Sequence, residues 1–347
     1  MVRLPPHPRL AEASARGRSF LGTELAFMGG AMTWVSERML VSALSNAGAF
    51  GVLACGSMGP EALAAEIDGT RALTDRPFGV NLILVHPELD ELVRVCIDRR
   101  VSHVVLAGGL PSRELVARLR DADVKVMAFA PGLAVAKRLV RMGVHGLILE
   151  GSEAGGHIGP VSTSVLAQEV LPELSEVPVF VAGGIGHGEG IAAFLGMGAA
   201  GVQMGTIFVC ASESIVHPET KRAYIRASAR DAVVSVQLDP EFRVIPVRAL
   251  ANEATKRFVR TQQEVIARYR AGELSYDEAS LLIEHFWAGA LRRAVIEGDV
   301  ENGSLMAGQS VGFVRAERPV CEILAELVEQ SERALARRHP PPAEREG

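Results

Sequence analysis

Eight short apolar runs, separated by amphipathic stretches, decide most of what this chain can become. They are LAFM (25–28), FGVLA (50–54), FGVNLILV (78–85), HVVLAG (103–108), VKVMAFA (124–130), GLILEG (146–151), VPVFVAGG (177–184) and AGVQMG (200–205). Each is apolar throughout instead of alternating, which is how parallel strands buried on both faces read. Helix-like segments lie between them. SERMLVSALSNAGA opens on Ser36, placed to cap it, and closes at a glycine, and GPEALAAEIDGTRALT carries Pro60 in its first turn. Eight β-α units predict an α/β chain of the (β/α)8 TIM barrel class over residues 25–216. An open doubly wound sheet is the rival topology. The count of eight and the missing G-x-G-x-x-G turn after the first run weigh against it.

Residues 1–24 read as an N-terminal extension. Beyond residue 216 the texture turns helical, with ETKRAYIRASA, VRALANEATKRFVRTQQEVIARYRAG, SYDEASLLIEHFWAGALRRAVIEG and PVCEILAELVEQSERALARR. Residues 217–338 are therefore expected to form a C-terminal helical subdomain that returns to the barrel mouth, interrupted by the glycine-rich GDVENGSLMAGQ (298–309), and residues 339–347 a disordered tail. An aromatic content of 5% and a formal net charge of −5 without a long basic run exclude nucleic acid as a partner. Cys55, Cys96, Cys210 and Cys321 form no C-x-x-C pair, so neither a zinc site nor a disulfide framework is indicated, and no His/Asp/Glu cluster has metal-ligand spacing. No signal-like segment opens the chain, and no run approaches the ~18 apolar residues of a membrane span. A cytoplasmic protein is the expectation.

In such a barrel the chemistry sits at the C-terminal ends of the strands. There the glycines and polar groups collect: Gly29, Gly30, Ala31 and Met32 after strand one, Asn81 in strand three, Gly108 and Gly109 after strand four. Strand six runs into EGSEAGGHIG, strand seven into AGGIGHGEG, and strand eight into QMGT. The last two loops suit a phosphate, because glycines let backbone N–H groups approach an anion closely. No Walker lysine accompanies them, which disfavours a nucleoside triphosphate. A resident cofactor phosphate fits better, and FMN is the candidate. Glycines that only make tight barrel turns are the plain alternative; several such loops on one rim favour binding. His187 either helps to hold the phosphate or is a plain turn residue, His285 reads as a packed helix residue, and His217 before Pro218 is expected to start a helix.

EGSEAGGHIG, PVFVAGGIGHGEGI, GVQMGTIF, SNAGAFGVLA and TDRPFGVNL together resemble the FMN-dependent nitronate monooxygenase (2-nitropropane dioxygenase) family, whose superfamily includes a flavin-dependent enoyl-acyl-carrier-protein reductase. The resemblance spans about Ala26 to Ala336. It implies that Gly30, Ala31 and Met32 lie against the flavin ring and that Asn81 bonds its polar edge. It also implies that Ala182, Gly183, Gly184, Gly205 and Thr206 hold the phosphate, with Gln203 beside them. Gly155 and Gly156 would allow close approach to a flat ring, and Met306 and Gln309 would close over it. His157 would be the catalytic histidine; Glu150 or Glu153, at the end of the same strand, would orient it through its other ring nitrogen, with Glu153 capping a turn as the plain alternative. Two departures stand out: Gly29 replaces a glutamine whose side chain bonds the flavin, and Ile207 replaces a basic residue after the strand-eight Gly-Thr.

Two reactions follow from the resemblance. In the first, a nitronate is oxidised with O2 to a carbonyl compound plus nitrite, and His157 holds the anion or takes the α-proton, which suits an imidazole of ordinary pKa ~6.5. In the second, NAD(P)H is the reductant and an enoyl thioester, with acyl carrier protein as partner, or a quinone is reduced. GGAMTWVSE, VRALANEATKRF and WAGALRRAVIEGDVENGSLMAGQ resemble the reductase, but the superfamily is populated mainly by nitronate and quinone enzymes, so nitronate oxidation is placed first. A flavin-storing or sensory barrel is disfavoured by His157. A homodimer is compatible with all of these; a membrane partner is not expected.

Overall fold

The computed structural model describes residues 4–239 and 246–338. The expected barrel forms from β1 (Phe27–Gly29), β2 (Phe50–Ala54), β3 (Phe78–Ile83), β4 (His103–Ala107), β5 (Lys125–Phe129) and β6 (Gly146–Glu150). A two-residue strand, β7 (Gly156–His157), interrupts the series before β8 (Val179–Ala182) and β9 (Gly201–Met204). The closed order is β1-β2-β3-β4-β5-β6-β8-β9, all parallel, with β9 pairing back onto β1. Inward positions alternate with outward ones. Met28, Phe50, Val52, Val105, Met127, Ile148, Phe180 and Ala182 fill the interior. Leu53, Val80, Val104, Leu147, Leu149 and Val181 face the helices. A strand run that is apolar at every position supplies both faces, each fully buried Leu, Ile or Val contributing roughly 1.5–3 kcal/mol.

The N-terminal helices α1 (Pro8–Ala13) and α2 (Ala15–Leu21) precede the barrel, and Phe20 and Leu21 of α2 enter the interior cluster from below. The outer ring is α3 (Arg38–Asn46), α4 (Pro60–Leu73), α5 (Leu89–Asp98), α6 (Arg113–Asp121), α7 (Leu133–Met142), α8 (Thr163–Val170) and α9 (Gly188–Gly196). Ser36 does not cap α3; Glu37 does, its carboxylate accepting from the N–H groups of Met39 and Leu40. His217 caps α10 (Pro218–Arg226) as expected, accepting from Glu219 N through Nδ1.

After the barrel come β10 (Ala232–Val234), β11 (Val247–Leu250), α11 (Glu253–Arg270), α12 (Tyr276–Arg292) and α13 (Val320–Arg338). The helix expected from Val247 instead starts at Glu253, behind an Asn252–Thr255 capping box. Val247–Leu250 is a strand because it has partners remote in sequence: the order is β10-β11-β7, antiparallel throughout. Helices α11 and α12 form a hairpin with its own core of Phe258, Val265, Ile266, Ile283 and Trp287, which Val247 and Met306 join. Helix α13 lies on α9, where Gly188 N donates to Gln330 Oε1. The tail expected at residues 339–347 and the side chain of His285 fall outside the described residues. No described helix is long and apolar enough to cross a membrane.

Candidate active site

The barrel's alternation places a polar layer at the top of the interior. Ile148 faces inward, so Glu150, two residues on, does too. Gln203 pairs with inward-facing Ala182, and Asn81 shares that inward set. Asn81 Nδ2 donates to Val105 O at 3.0 Å, leaving its Oδ1 available. Neither the Glu150 carboxyl nor the Gln203 amide has a partner among the described residues, although both are largely withdrawn from solvent. Burial pushes the Glu150 carboxyl up to about 7, so near neutral pH it can donate a hydrogen bond as well as accept one. Polar groups in such surroundings are normally paired, and unmet ones at the mouth of a barrel point to a polar ligand.

The loop after β1 is held against this layer. Gly30 N donates to Met204 O at 2.8 Å, while Ser36 Oγ donates to Gly30 O at 2.9 Å and accepts from Met32 N at 3.0 Å. A Cβ at Gly30 would lie 3.4 Å from the Gln203 side chain, and one at Gly205 would lie 3.3 Å from Met32 Sδ. Gly30, Met32, Gln203 and Gly205 thus converge, and Ala31 packs on the interior cluster. Gly29 turns outward, since a Cβ there would sit 2.4 Å from Leu44 Cδ1. A side chain at that position would meet α3 and not the mouth, so its loss takes nothing from the site. Trp34, at φ 69°, holds a left-handed conformation that strains a bulky residue, and its ring lies 6.0 Å from the Arg292 guanidinium of α12.

At the other end of the mouth lie the loops after β8 and β9. The N–H groups of Gly183, Gly184, Ile185 and Gly186, and of Gly205, Thr206 and Ile207, have no partner among the described residues. Gly183 and Gly184 have φ of 102° and 70°, a backbone that frees these donors. Beside them opens a cavity of about 570 Å3 whose lining includes Gly183, Gly184, Glu153, Gln309, His187 and Phe313 but not His157. Glu153 turns its carboxylate to α8, accepting from Thr163 N and Thr163 Oγ1, both at 2.8 Å. Of its two expected roles, capping is the one this geometry serves. His187 caps α9, its Nδ1 accepting from Glu189 N at 3.2 Å.

His157 stands apart from the barrel on β7, exposed, with the segment around residue 306 folded back beside it. Gly155 is required here: a Cβ would lie 2.5 Å from Gly308 N and 2.6 Å from Ala307 C. A Cβ at Gly156 would lie 3.6 Å from Met306 Sδ. Gly308 N donates to Thr206 Oγ1 at 3.0 Å, Gln309 N to Glu153 O at 2.9 Å, and the Tyr224 hydroxyl to Met306 O at 2.8 Å. The return segment therefore joins the loop after β6 to the loop after β9. Sequence reasoning missed Ser36, Thr163 and Arg248 as members of this framework. Only Ser36, six residues beyond Gly30 in a glycine-rich loop, had a local signal.

A closed parallel barrel whose rim offers uncommitted amides, unpartnered polar side chains and an exposed histidine is the form of a ligand-binding TIM-barrel enzyme. The chain belongs to the nitronate monooxygenase family, whose profile matches residues 17–330, and is an oxidoreductase. It is 33% identical over 337 residues, 89% of this chain and 93% of the relative, to (3aS,4S,5R,7aS)-5-hydroxy-7a-methyl-1-oxo-octahydro-1H-indene-4-carboxyl-CoA dehydrogenase of Mycobacterium tuberculosis. FabK from Thermotoga maritima superposes with a TM-score of 0.82 at 36% identity, covering 97% of this chain and 98% of that one. Nitroalkane oxidase from Streptomyces ansochromogenes superposes with a TM-score of 0.74 at 27% identity, covering 90% of this chain and 97% of that one.

Proposed function

We propose that the chain is an FMN-dependent oxidoreductase acting on an acyl thioester, with His157 as the proton-handling residue. One observation carries the cofactor: among the described residues the Glu150 carboxyl and the Gln203 amide stand unpartnered inside the rim, while the amides of Gly183–Gly186 and Gly205–Ile207 are uncommitted beside it. This set matches FMN from end to end, with polar side chains for its ring edge and ribityl chain and backbone N–H groups for its phosphate. Ile207 stands where a basic side chain would follow the Gly-Thr after β9, so the backbone carries the anion. When bound, FMN supplies hydride or electron transfer. The chain does the rest. Gly30, Ala31 and Met32 support the flat face, Asn81 Oδ1 accepts at the polar edge, and Met306 and Gln309 limit access of water. His157 gives or takes a proton at the substrate carbon.

The thioester is placed ahead because the relatives above 30% identity include one named for a carboxyl-CoA substrate. NAD(P)H is then the reductant, and a carrier protein or coenzyme A bears the acyl group. Nitronate oxidation is the second reading, supported by the family's name and by the nitroalkane oxidase at 27% identity. Anaerobic mixing separates the two. The thioester reading expects NAD(P)H to bleach the flavin and an enoyl thioester to restore its colour. Bleaching by an alkyl nitronate, with none by NAD(P)H, would replace it with the nitronate reading. If FMN neither co-purifies nor binds when added, both are lost.

A further inference from the structure

The residue that carries the chemistry in this reading is not mounted on the barrel. The chain leaves β6 at Glu150, crosses Gly151–Gly155, and reaches β7, which is only Gly156 and His157. That strand takes its register from β11: Val247 pairs with His157 and Arg248 with Gly156. Ile158 N then donates to Pro246 O at 3.0 Å. The ladder holds the backbone of this short strand over two residues, and a second backbone tie is present. Arg248, 8% exposed, donates from Nε to Ser152 O at 2.9 Å and from Nη1 to Ala232 O at 2.6 Å. One guanidinium thereby binds the loop before His157 to β10, on the far side of β11.

Arg248 is an uneconomical way to tie two carbonyls together. Burial depresses its pKa, and the Glu153 charge only partly offsets this. It forms no ion pair within 4 Å among the described residues. A buried cation bonded only to neutral carbonyls persists where its rigid, forked donor geometry is needed. Lysine has the charge but not the fork.

We propose that Arg248 is the positioning residue of His157, clamping the Ser152 carbonyl to the β10–β11 sheet so that the imidazole is held at a fixed place over the mouth. This rests on His157 being the proton-handling residue, but its first test does not. In Arg248→Lys, the side-chain 15N signals of His157, assigned by their absence in His157→Ala, shift and broaden, while those of His103, His187 and His217 stay in place. Arg248→Gln, whose shorter amide cannot bridge the Ser152 and Ala232 carbonyls, shifts the same signals and serves if the lysine variant does not fold. With a turnover substrate in hand, Arg248→Lys lowers kcat at least 30-fold with KM and FMN affinity within threefold. In a His157→Ala background the same change costs less than threefold, because the two residues act as one unit. Unchanged His157 signals overturn the proposal whatever the reaction proves to be. So does a kcat loss that persists in full without His157, which would place Arg248 on the ligand itself.

Discussion

Glu150 ends β6 with its carboxyl inside the barrel and, among the described residues, no group to receive it. Burial raises it from an ordinary value of 4.5 to about 7. The sign of its effect on stability follows. Below 4.5 both folded and unfolded chains hold the proton, and nothing is lost. As pH rises from 4.5 to 7 the unfolded chain releases it and the folded chain keeps it, so stability falls; above 7 the penalty is constant. The full shift corresponds to about 3 kcal/mol, and the opening of the carboxyl toward the mouth reduces that to on the order of 1–3 kcal/mol. Glu150→Gln should therefore leave the ligand-free chain's stability unchanged at pH 4 and raise it at pH 8, as read from urea unfolding midpoints. An equal gain at both pH values would show that the fold does not shift the carboxyl's titration. At this scale the sequence was informative where chemistry is tied to residue type. His157 between glycines is conspicuous, and Glu150 was visible as an acid ending an apolar run. That Glu150 finds no partner among the described residues was not visible, because partners are supplied by strands far away in the chain. Gly29 shows the converse: its identity suggested a missing flavin contact, but its direction, toward Leu44, is a property of the strand's pleat.

The eight barrel strands were legible because each is a run buried on both faces, a signal contained within itself. The strands β7, β10 and β11 were not, because each exists only against the others. VRAL carries a charge among small apolar residues and continues into helix-forming sequence, so local preference reads it as helix. Pairing with Gly156–His157 and with Ala232–Val234 overrides that preference. A signal for the true helix start was nevertheless present in Asn252 with Thr255 three residues later. The return segment is the other element that sequence named but could not dock. Its place depends on Gly155, whose missing Cβ is what lets Ala307 and Gly308 approach. Gly155→Ala puts a methyl against backbone that cannot rotate away, at a cost of about 1–3 kcal/mol. The expected result is loss of hydrogen-exchange protection at the Gly308 and Gln309 amides, with barrel amides such as those of β4 and β5 unaffected. Retained protection at both would mean that the segment is held by Tyr224 and Thr206 without help from close packing at Gly155.

The bottom and the top of the barrel interior each hold a buried titratable group, and the two affect stability in opposite senses. Phe20 and Leu21 plug the bottom, where Phe20 O accepts from Lys125 Nζ at 2.6 Å and from His103 Nε2 at 3.1 Å. The His103 ring also makes edge contacts with Phe20 and Phe50, at 5.1 and 4.8 Å. Burial, with the Lys125 charge adding to it, lowers His103 from 6.5 to about 4. Here the unfolded chain takes up the proton first as pH falls from 6.5 toward 4, so this end loses stability on the acid side, by up to about 3 kcal/mol. The top, through Glu150, loses it on the alkaline side. Between 4.5 and 6.5 the two slopes oppose each other. His103→Gln keeps a donor for Phe20 O but removes the titration. It should cost stability at pH 7, and that deficit should shrink or reverse by pH 4.5. Because the two residues occupy opposite ends of the interior with no shared partner, the Glu150→Gln and His103→Gln effects should add in the double variant at every pH, within about 0.5 kcal/mol. A larger departure from additivity would mean that the interior side chains between them transmit strain from the plug to the site. The barrel would then have to be understood as one coupled core and not as two independently closed ends.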